Sequence, residues 1–403
     1  MECLLKLIPL LVIFFGVLSV VPLLVYLERK ISARIQDRIG PNRVGLLGPD
    51  SPFEGLGFKT GTKRILGGWL QPVADVVKLI AKEAIVPAHA DRYLYFLAPM
   101  FALLPPLLAF VVIPVGPDLL LGHDERGPWL KLQVADLHVG VLFVLAAASL
   151  SVYGLAFGGW ASNNKYSLLG SVRAMAQMVS YELGMGLVIL AAVMSYDSVS
   201  LRDMVYAQAG ARHLSNLGVP TDFWDSGSNW INNWGIWRQP LSFLLLLICA
   251  FAENNRLPFD LPECDAELVG GYHTEYSSLC FGMFFQAEYI AMLAMGALIT
   301  TLFLGGWHFP GYASLLHGAM WQQLLAVVLG LASFGVKVMA YVLFSMWVRW
   351  TLPRFRWDQL MRLGWKGIVP LALANLVLTA ALNLPASSRE KAGHRITVPE
   401  GRE

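Results

Sequence analysis

Eight stretches of this chain are apolar and almost free of charge: residues 7–27, 93–117, 137–157, 168–196, 241–252, 277–304, 321–346 and 367–384. A helix needs roughly 20 apolar residues to cross a hydrocarbon layer about 30 Å thick. Backbone in lipid must satisfy its own hydrogen bonds, so runs of this kind fold as helices. The expected fold class is all-α: a polytopic integral membrane protein of about eight transmembrane helices. Composition agrees, since 14% of residues are charged, against about 25% in soluble domains. A cytosolic enzyme, a disordered tail and a secreted disulfide scaffold are excluded. A net charge of +2 provides no basic field for nucleic acid. Run 7–27 is followed directly by Glu28-Arg29-Lys30, with no small-residue cleavage site, and is expected to stay as a span.

An even number of spans puts both ends of the chain on one side. The connection after the first span holds eleven Lys/Arg between Arg29 and Arg92. The connection after the seventh holds five: Arg349, Arg354, Arg356, Arg362 and Lys366. Basic loops stay on the cytoplasmic side, which places both termini outside. Residues 1–386 are expected to form a single membrane domain. It would carry an extra-cytoplasmic insert at about 198–239, with Trp224, Trp230, Trp234 and Trp237, and an acidic cytoplasmic loop at about 253–276. Residues 387–403 form a polar tail.

Charge inside the apolar runs is where chemistry is expected. Glu182, Glu288 and Lys337 interrupt them. An ionisable group at membrane depth is costly and faces a cavity or a partner, so a proton relay competes with a structural hydrogen bond, and for Lys337 with snorkelling. Between Glu253 and Glu288 lie seven acids, Glu253, Asp260, Glu263, Asp265, Glu267, Glu275 and Glu288, against one base, Arg256. Carboxylates crowded in a low-dielectric site share protons. Leu257-Pro258-Phe259, Leu261-Pro262 and Gly270-Gly271-Tyr272 interleave with these acids and point to backbone folded back into protein. Gln71, Asp75, Lys78 and Lys82 share one helical face, while Trp69, Val73, Val76, Val77 and Ile80 cover much of the rest. This predicts a cytoplasmic-side amphipathic helix, lying in the headgroups or forming a wall that admits an amphiphile. The four cysteines and eight histidines are scattered, and no metal site is expected.

Four blocks of motif carry a resemblance. They are Glu28-Arg29-Lys30 through Gln36, Arg38 and Gly40-Pro41-Asn42-Arg43-Val44-Gly45; Leu70-Gln71-Pro72 with Ala74-Asp75, Lys78 and Lys82-Glu83; Glu253-Asn254-Asn255-Arg256 through Pro258-Phe259-Asp260-Leu261-Pro262-Glu263, Glu267 and Glu275-Tyr276 to Ala287-Glu288-Tyr289; and Arg349 through Leu352-Pro353-Arg354-Phe355-Arg356 to Trp365-Lys366. Ser180-Tyr181-Glu182 matches as well. In this order they resemble the H-type (subunit 1) family of membrane subunits of proton-pumping NADH:quinone oxidoreductase, respiratory complex I. Against that family, residues at about 46–68 are extra, and the insert at 198–239 is long with no transferable role.

The resemblance implies a non-autonomous translocase subunit at the heel of a membrane arm, with no complete active site in this chain. Glu28, Arg29, Arg38, Gln71, Asp75 and Lys78 would border a quinone tunnel. Glu182, Glu253, Asp260, Glu263, Asp265, Glu267, Glu275 and Glu288 would form a proton-coupling relay. Quinone, whether ubiquinone or menaquinone, would be the substrate. NADH, FMN and iron–sulfur clusters would reside in partner subunits. Partners would be the hydrophilic quinone-module subunits, small membrane-arm subunits and membrane lipids, and the location a bacterial inner membrane. The alternative is the homologous subunit of a membrane-bound hydrogenase, or of a quinone reductase with another donor.

Overall fold

The computed structural model describes residues 2–42, 68–117, 132–208, 234–309, 312, 315 and 320–394. The extra segment near 46–68 (all but its last residue), Trp224, Trp230 and the end of the polar tail fall outside these residues, as does the side chain of Asp265. No strand occurs among the described residues. The helices are α1 (Glu2–Ile35), α2 (Gln71–Ala81), α3 (Arg92–Val112), α4 (Gly140–Ala161), α5 (Lys165–Tyr196), α6 (Leu201–Gln208), α7 (Gly235–Arg238), α8 (Pro240–Glu253), α9 (Asp265–Leu268), α10 (Ser278–Phe303), α11 (Met320–Thr351), α12 (Trp357–Arg362) and α13 (Val369–His394). A π turn, Leu363–Ile368, joins the last two.

Each of the eight apolar runs lies mainly on helix, with residues 113–117 of the second run beyond the end of α3 and 137–139 of the third before the start of α4. Among the described residues, six helical stretches are long and apolar enough to cross a membrane: α3, α4, α5, α10, α11 and Trp357–Asn383. The run at 241–252 is shorter, on the 14-residue α8, which at 1.5 Å per residue spans only about 21 Å. It starts at a proline, which suits the first helical turn, and ends where the chain turns into the acidic loop. The first run is longer than its apolar residues suggest. Helix α1 continues through Glu28-Arg29-Lys30 to Ile35, because charged residues end an apolar run without ending a helix.

Local sequence explains several boundaries. Asp91 caps α3 by accepting from the backbone N–H of Tyr93 and Leu94 at 3.1 and 3.4 Å. Asn164 caps α5 by accepting from the Tyr166 N–H at 3.0 Å. Helices α3 and α4 pack closely where Gly154 meets Ala102, since a Cβ on Gly154 would come within 2.4 Å of the Ala102 nitrogen. Of the six long apolar stretches, α10 is the most enclosed and Trp357–Asn383 the least.

The amphipathic helix appears as α2. Its Ser278-facing edge is tied to α10, whose Ser278 hydroxyl donates to the Leu79 carbonyl at 2.9 Å. Trp69, just before it, packs on Tyr26 of α1 with ring centroids 6.0 Å apart. Val73, Val76, Val77 and Ile80 are exposed, leaving an apolar face with no cover from the described residues of this chain.

Candidate functional site

The connection between α8 and α10 folds into the protein rather than over it. Its backbone is shaped by three residues with positive φ, Asn255, Val269 and Gly271. At Gly271 any side chain is forbidden, because a Cβ would sit 1.9 Å from the Pro262 carbonyl oxygen. Val269 takes φ 66° and ψ −61°, and the Gly270 N–H reaches the Leu268 carbonyl at 2.7 Å. That is a γ-turn of the rare, strained hand, on an exposed residue.

Neighbouring helices pin the rest of the loop. Gln177 of α5 donates to the Ala252 carbonyl at 2.9 Å and to Asn255 Oδ1 at 3.0 Å. The Ser167 hydroxyl donates to the Tyr272 carbonyl at 2.9 Å. Tyr95 of α3 donates to the Glu275 carbonyl at 2.8 Å, and Asn164 donates to the Glu275 carboxylate at 2.6 Å.

This folding carries Arg256 to the centre of a charge cluster. Its guanidinium is buried at 2% exposure, where an unpaired cation would be prohibitive. Nε donates to Glu288 Oε1 at 2.5 Å, and Nη1 donates to Glu28 Oε2 at 2.9 Å. The guanidinium carbon also lies 4.3 Å from the centroid of the Tyr289 ring. Glu28, itself buried, accepts further bonds from the Tyr289 hydroxyl at 2.6 Å and from Arg349 of α11 at 2.7 Å. Burial alone would lower the Arg256 pKa; Glu288 and Glu28 more than reverse that and hold it charged.

Two loop acids sit beside the cluster. Asp260 accepts from Arg354 at 2.9 Å. Burial, then Glu263, pushes its pKa up to about 7, against the pull of Arg354 and Arg349. Glu263 accepts from the Tyr272 hydroxyl at 2.8 Å. Burial and the nearby Glu288 also push it up to about 7, the Tyr272 bond opposing. Both carboxyls therefore change charge near neutral pH.

Glu253, Glu263 and Glu288 line one cavity of about 80 Å³, together with Pro105, Pro106 and Met295. A water needs ~10–15 Å³, so the cavity has room for several. Glu253 is buried, with Oε2 bonded to nothing among the described residues. Glu182, one helix away, interacts electrostatically with Glu253 and accepts a hydrogen bond from Ser149.

The expected tunnel and relay residues thus divide. Glu28, Glu253, Asp260, Glu263 and Glu288 converge, with Glu182 adjoining. Glu267 is exposed at the surface, paired with Arg173 at 2.5 Å. Glu275 serves as a loop anchor. Arg29 pairs with Asp75 at 2.5 Å, and Gln71 donates to Asp75 at 3.3 Å, tying α1 to α2. Arg38 is exposed and bonded to Gln36; Lys78 is exposed. The side chain of Asp265 is outside the described residues.

Two expectations change. The acids are not opposed by one base, because the fold brings Arg349, Arg354 and Arg173 to them. Lys337 neither snorkels nor faces the acids: its ammonium donates to the carbonyls of Leu304, Gly306 and His308 at 2.8, 2.9 and 2.8 Å. Sequence reasoning passed over Arg256, Arg349, Tyr272 and Tyr289 as site residues. The excess of acids without counter-charge was the signal that arginines from elsewhere had to be supplied.

Among the described residues, no three of His, Cys, Asp or Glu gather as metal ligands. The geometry is that of a charge-handling site within membrane helices. Comparison with known proteins agrees. The sequence model of the NADH dehydrogenase family matches residues 8–380. The chain is 46% identical over 367 residues to the H-type subunit numbered 1 of the NADH-quinone oxidoreductase of Geobacter metallireducens, covering 91% of this chain and 93% of that protein. It is 46% identical over 368 residues to the H-type subunit numbered 2 of the Geobacter sulfurreducens oxidoreductase, with the same coverage of 91% and 93%. It is 43% identical over 387 residues to the corresponding subunit of Bdellovibrio bacteriovorus, covering 92% and 94%.

Proposed function

The chain belongs to the NADH dehydrogenase family as a multi-pass membrane subunit, of the H type, of NADH-quinone oxidoreductase, and from that premise we propose that it links the quinone path to proton movement through the carboxylates around Arg256. As part of an oxidoreductase complex it works with other subunits, and the relatives' names favour this reading over a hydrogenase subunit.

The observation that carries the proposal is the convergence of Glu253, Glu263 and Glu288 on one cavity, joined through Arg256 to Glu28 on α1. Quinone passes between α1 and α2, bordered by Glu28, Arg29, Gln71 and Asp75, with Arg38 and Lys78 at the outer margin. NADH, FMN and the iron–sulfur clusters belong to hydrophilic partner subunits. Reduction of quinone at that junction draws protons and changes the local charge. Asp260 and Glu263 respond first, because both titrate near neutral pH. The change passes through Glu288 to Glu253 and Glu182, toward small membrane-arm partners. Glu267 and Glu275 hold the loop in shape. The chain lies in a bacterial inner membrane, both termini extra-cytoplasmic, as one membrane domain in contact with lipids.

Glu253→Gln in the assembled complex tests this. Quinone reduction and the proton gradient are expected to fall by an order of magnitude or more, while NADH oxidation by a soluble artificial acceptor is kept. Wild-type quinone reduction and pumping would refute the role.

A further inference from the structure

The segment after α11 is laced to the acidic loop at several points. The Phe355 N–H donates to the Pro258 carbonyl at 3.2 Å. The Phe259 ring packs between Phe355 and Tyr181, with centroids at 5.4 and 5.5 Å. The Tyr181 hydroxyl donates back to the Leu360 carbonyl at 2.9 Å. The backbone directly after Arg354 is thereby fixed, and with it the origin of the Arg354 side chain. Its Nη2 reaches Asp260 Oδ2 at 2.9 Å, and the guanidinium lies within electrostatic reach of Cys264. Asp260 Oδ1, the other carboxylate oxygen, is buried and bonded to nothing among the described residues.

We propose that Arg354 is a positioning residue for the coupling loop: it holds Asp260 by one carboxylate oxygen and leaves the other inside the protein as the atom that accepts the proton. This rests on the reading of the loop as the coupling element. The charged and titratable groups facing Asp260 are Glu263 of the same loop, Glu288 of α10, Arg349 of α11 and Arg354 itself. Burial and the two glutamates favour the neutral acid; Arg354 and Arg349 favour the carboxylate. Without Arg354 the balance tips toward the neutral form. An Asp beside an arginine typically titrates about 1–3 units lower than one without it. The limb on which rate rises with pH, carried by ionisation of Asp260, should therefore move to higher pH by about one unit or more.

The test uses the complete complex in membranes carrying R354Q, R354K, D260N or D260N/R354Q. NADH:quinone reduction is followed against pH, with NADH oxidation by a soluble artificial acceptor reporting how much complex is assembled. R354Q is expected to lose rate at neutral pH and to regain it at alkaline pH. R354K should shift less, because it keeps the charge without the planar fork. The double variant should match D260N, since Arg354 acts through Asp260. A wild-type pH profile in R354Q, or an R354Q effect that adds in full to D260N, overturns the proposal. Failure of both R354Q and R354K to assemble makes Arg354 a scaffold residue and overturns it too. Impaired D260N with silent R354Q defeats only the positioning role; fully active D260N defeats the coupling reading of Asp260 beneath it.

Discussion

Arg256 serves two carboxylates at once, Glu28 through Nη1 and Glu288 through Nε. At 1% side-chain exposure the pairing is a requirement of burial rather than a surface ornament. Removing one partner of a buried ion pair costs about 3–5 kcal/mol, since the other charge is left desolvated. Arg256→Gln leaves two such carboxylates, although Arg349 still reaches Glu28 at 2.7 Å. The amount of complex recovered from membranes, measured by native gel, should drop several-fold. Assembly at wild-type yield would mean that Glu28 and Glu288 are held neutral, and that the cluster is not ionic. By contrast the surface pair Arg173–Glu267 is half in water, where such pairs contribute about 0–1 kcal/mol.

At the scale of elements, Lys337 separates structure from chemistry. Helix α10 ends at Phe303, and the next turn runs through Gly305 and Gly306 with φ of 72° and 55°. Lys337 of α11 supplies its ammonium protons to the Leu304, Gly306 and His308 carbonyls of that turn and lies 4.6 Å from the centroid of the Trp234 ring. Lys337→Met strands the Leu304 and Gly306 carbonyls, at about 1–3 kcal/mol for each buried group left without a partner, while the His308 carbonyl keeps the Ser333 hydroxyl at 3.2 Å. Thermal inactivation of the complex should come at a lower temperature, while pumping per turnover of the surviving complex stays at the wild-type ratio. Normal stability with a lowered ratio would return Lys337 to the relay.

At the scale of the whole molecule, the membrane helices were legible because apolar length is a local property. So was the α2 face of Gln71 and Asp75, which needs only the helical period. The limits of α1 were not, since hydropathy falls at Glu28 while the helix runs to Ile35. The identities of the loop acids could be read, but not their partners. Glu28 and Arg256 lie 228 positions apart, and Glu28 and Arg349 lie 321 apart. No spacing rule reaches across such distances; only the packing of α1, α10 and α11 brings them together. The same packing sorts Glu253, Glu263 and Glu288 into the cavity and leaves Glu267 in solvent, a distinction that a count of acids could not make.

Carboxyls lining this cavity are expected to change protonation when quinone is reduced. Redox-induced infrared difference spectroscopy of the whole complex reads this directly, through the carbonyl stretch of protonated carboxylic acids. Such a band is expected on quinone reduction, with part of its amplitude missing in Glu253→Gln and in Glu288→Gln. A carboxylic acid band unchanged in both variants would contradict it.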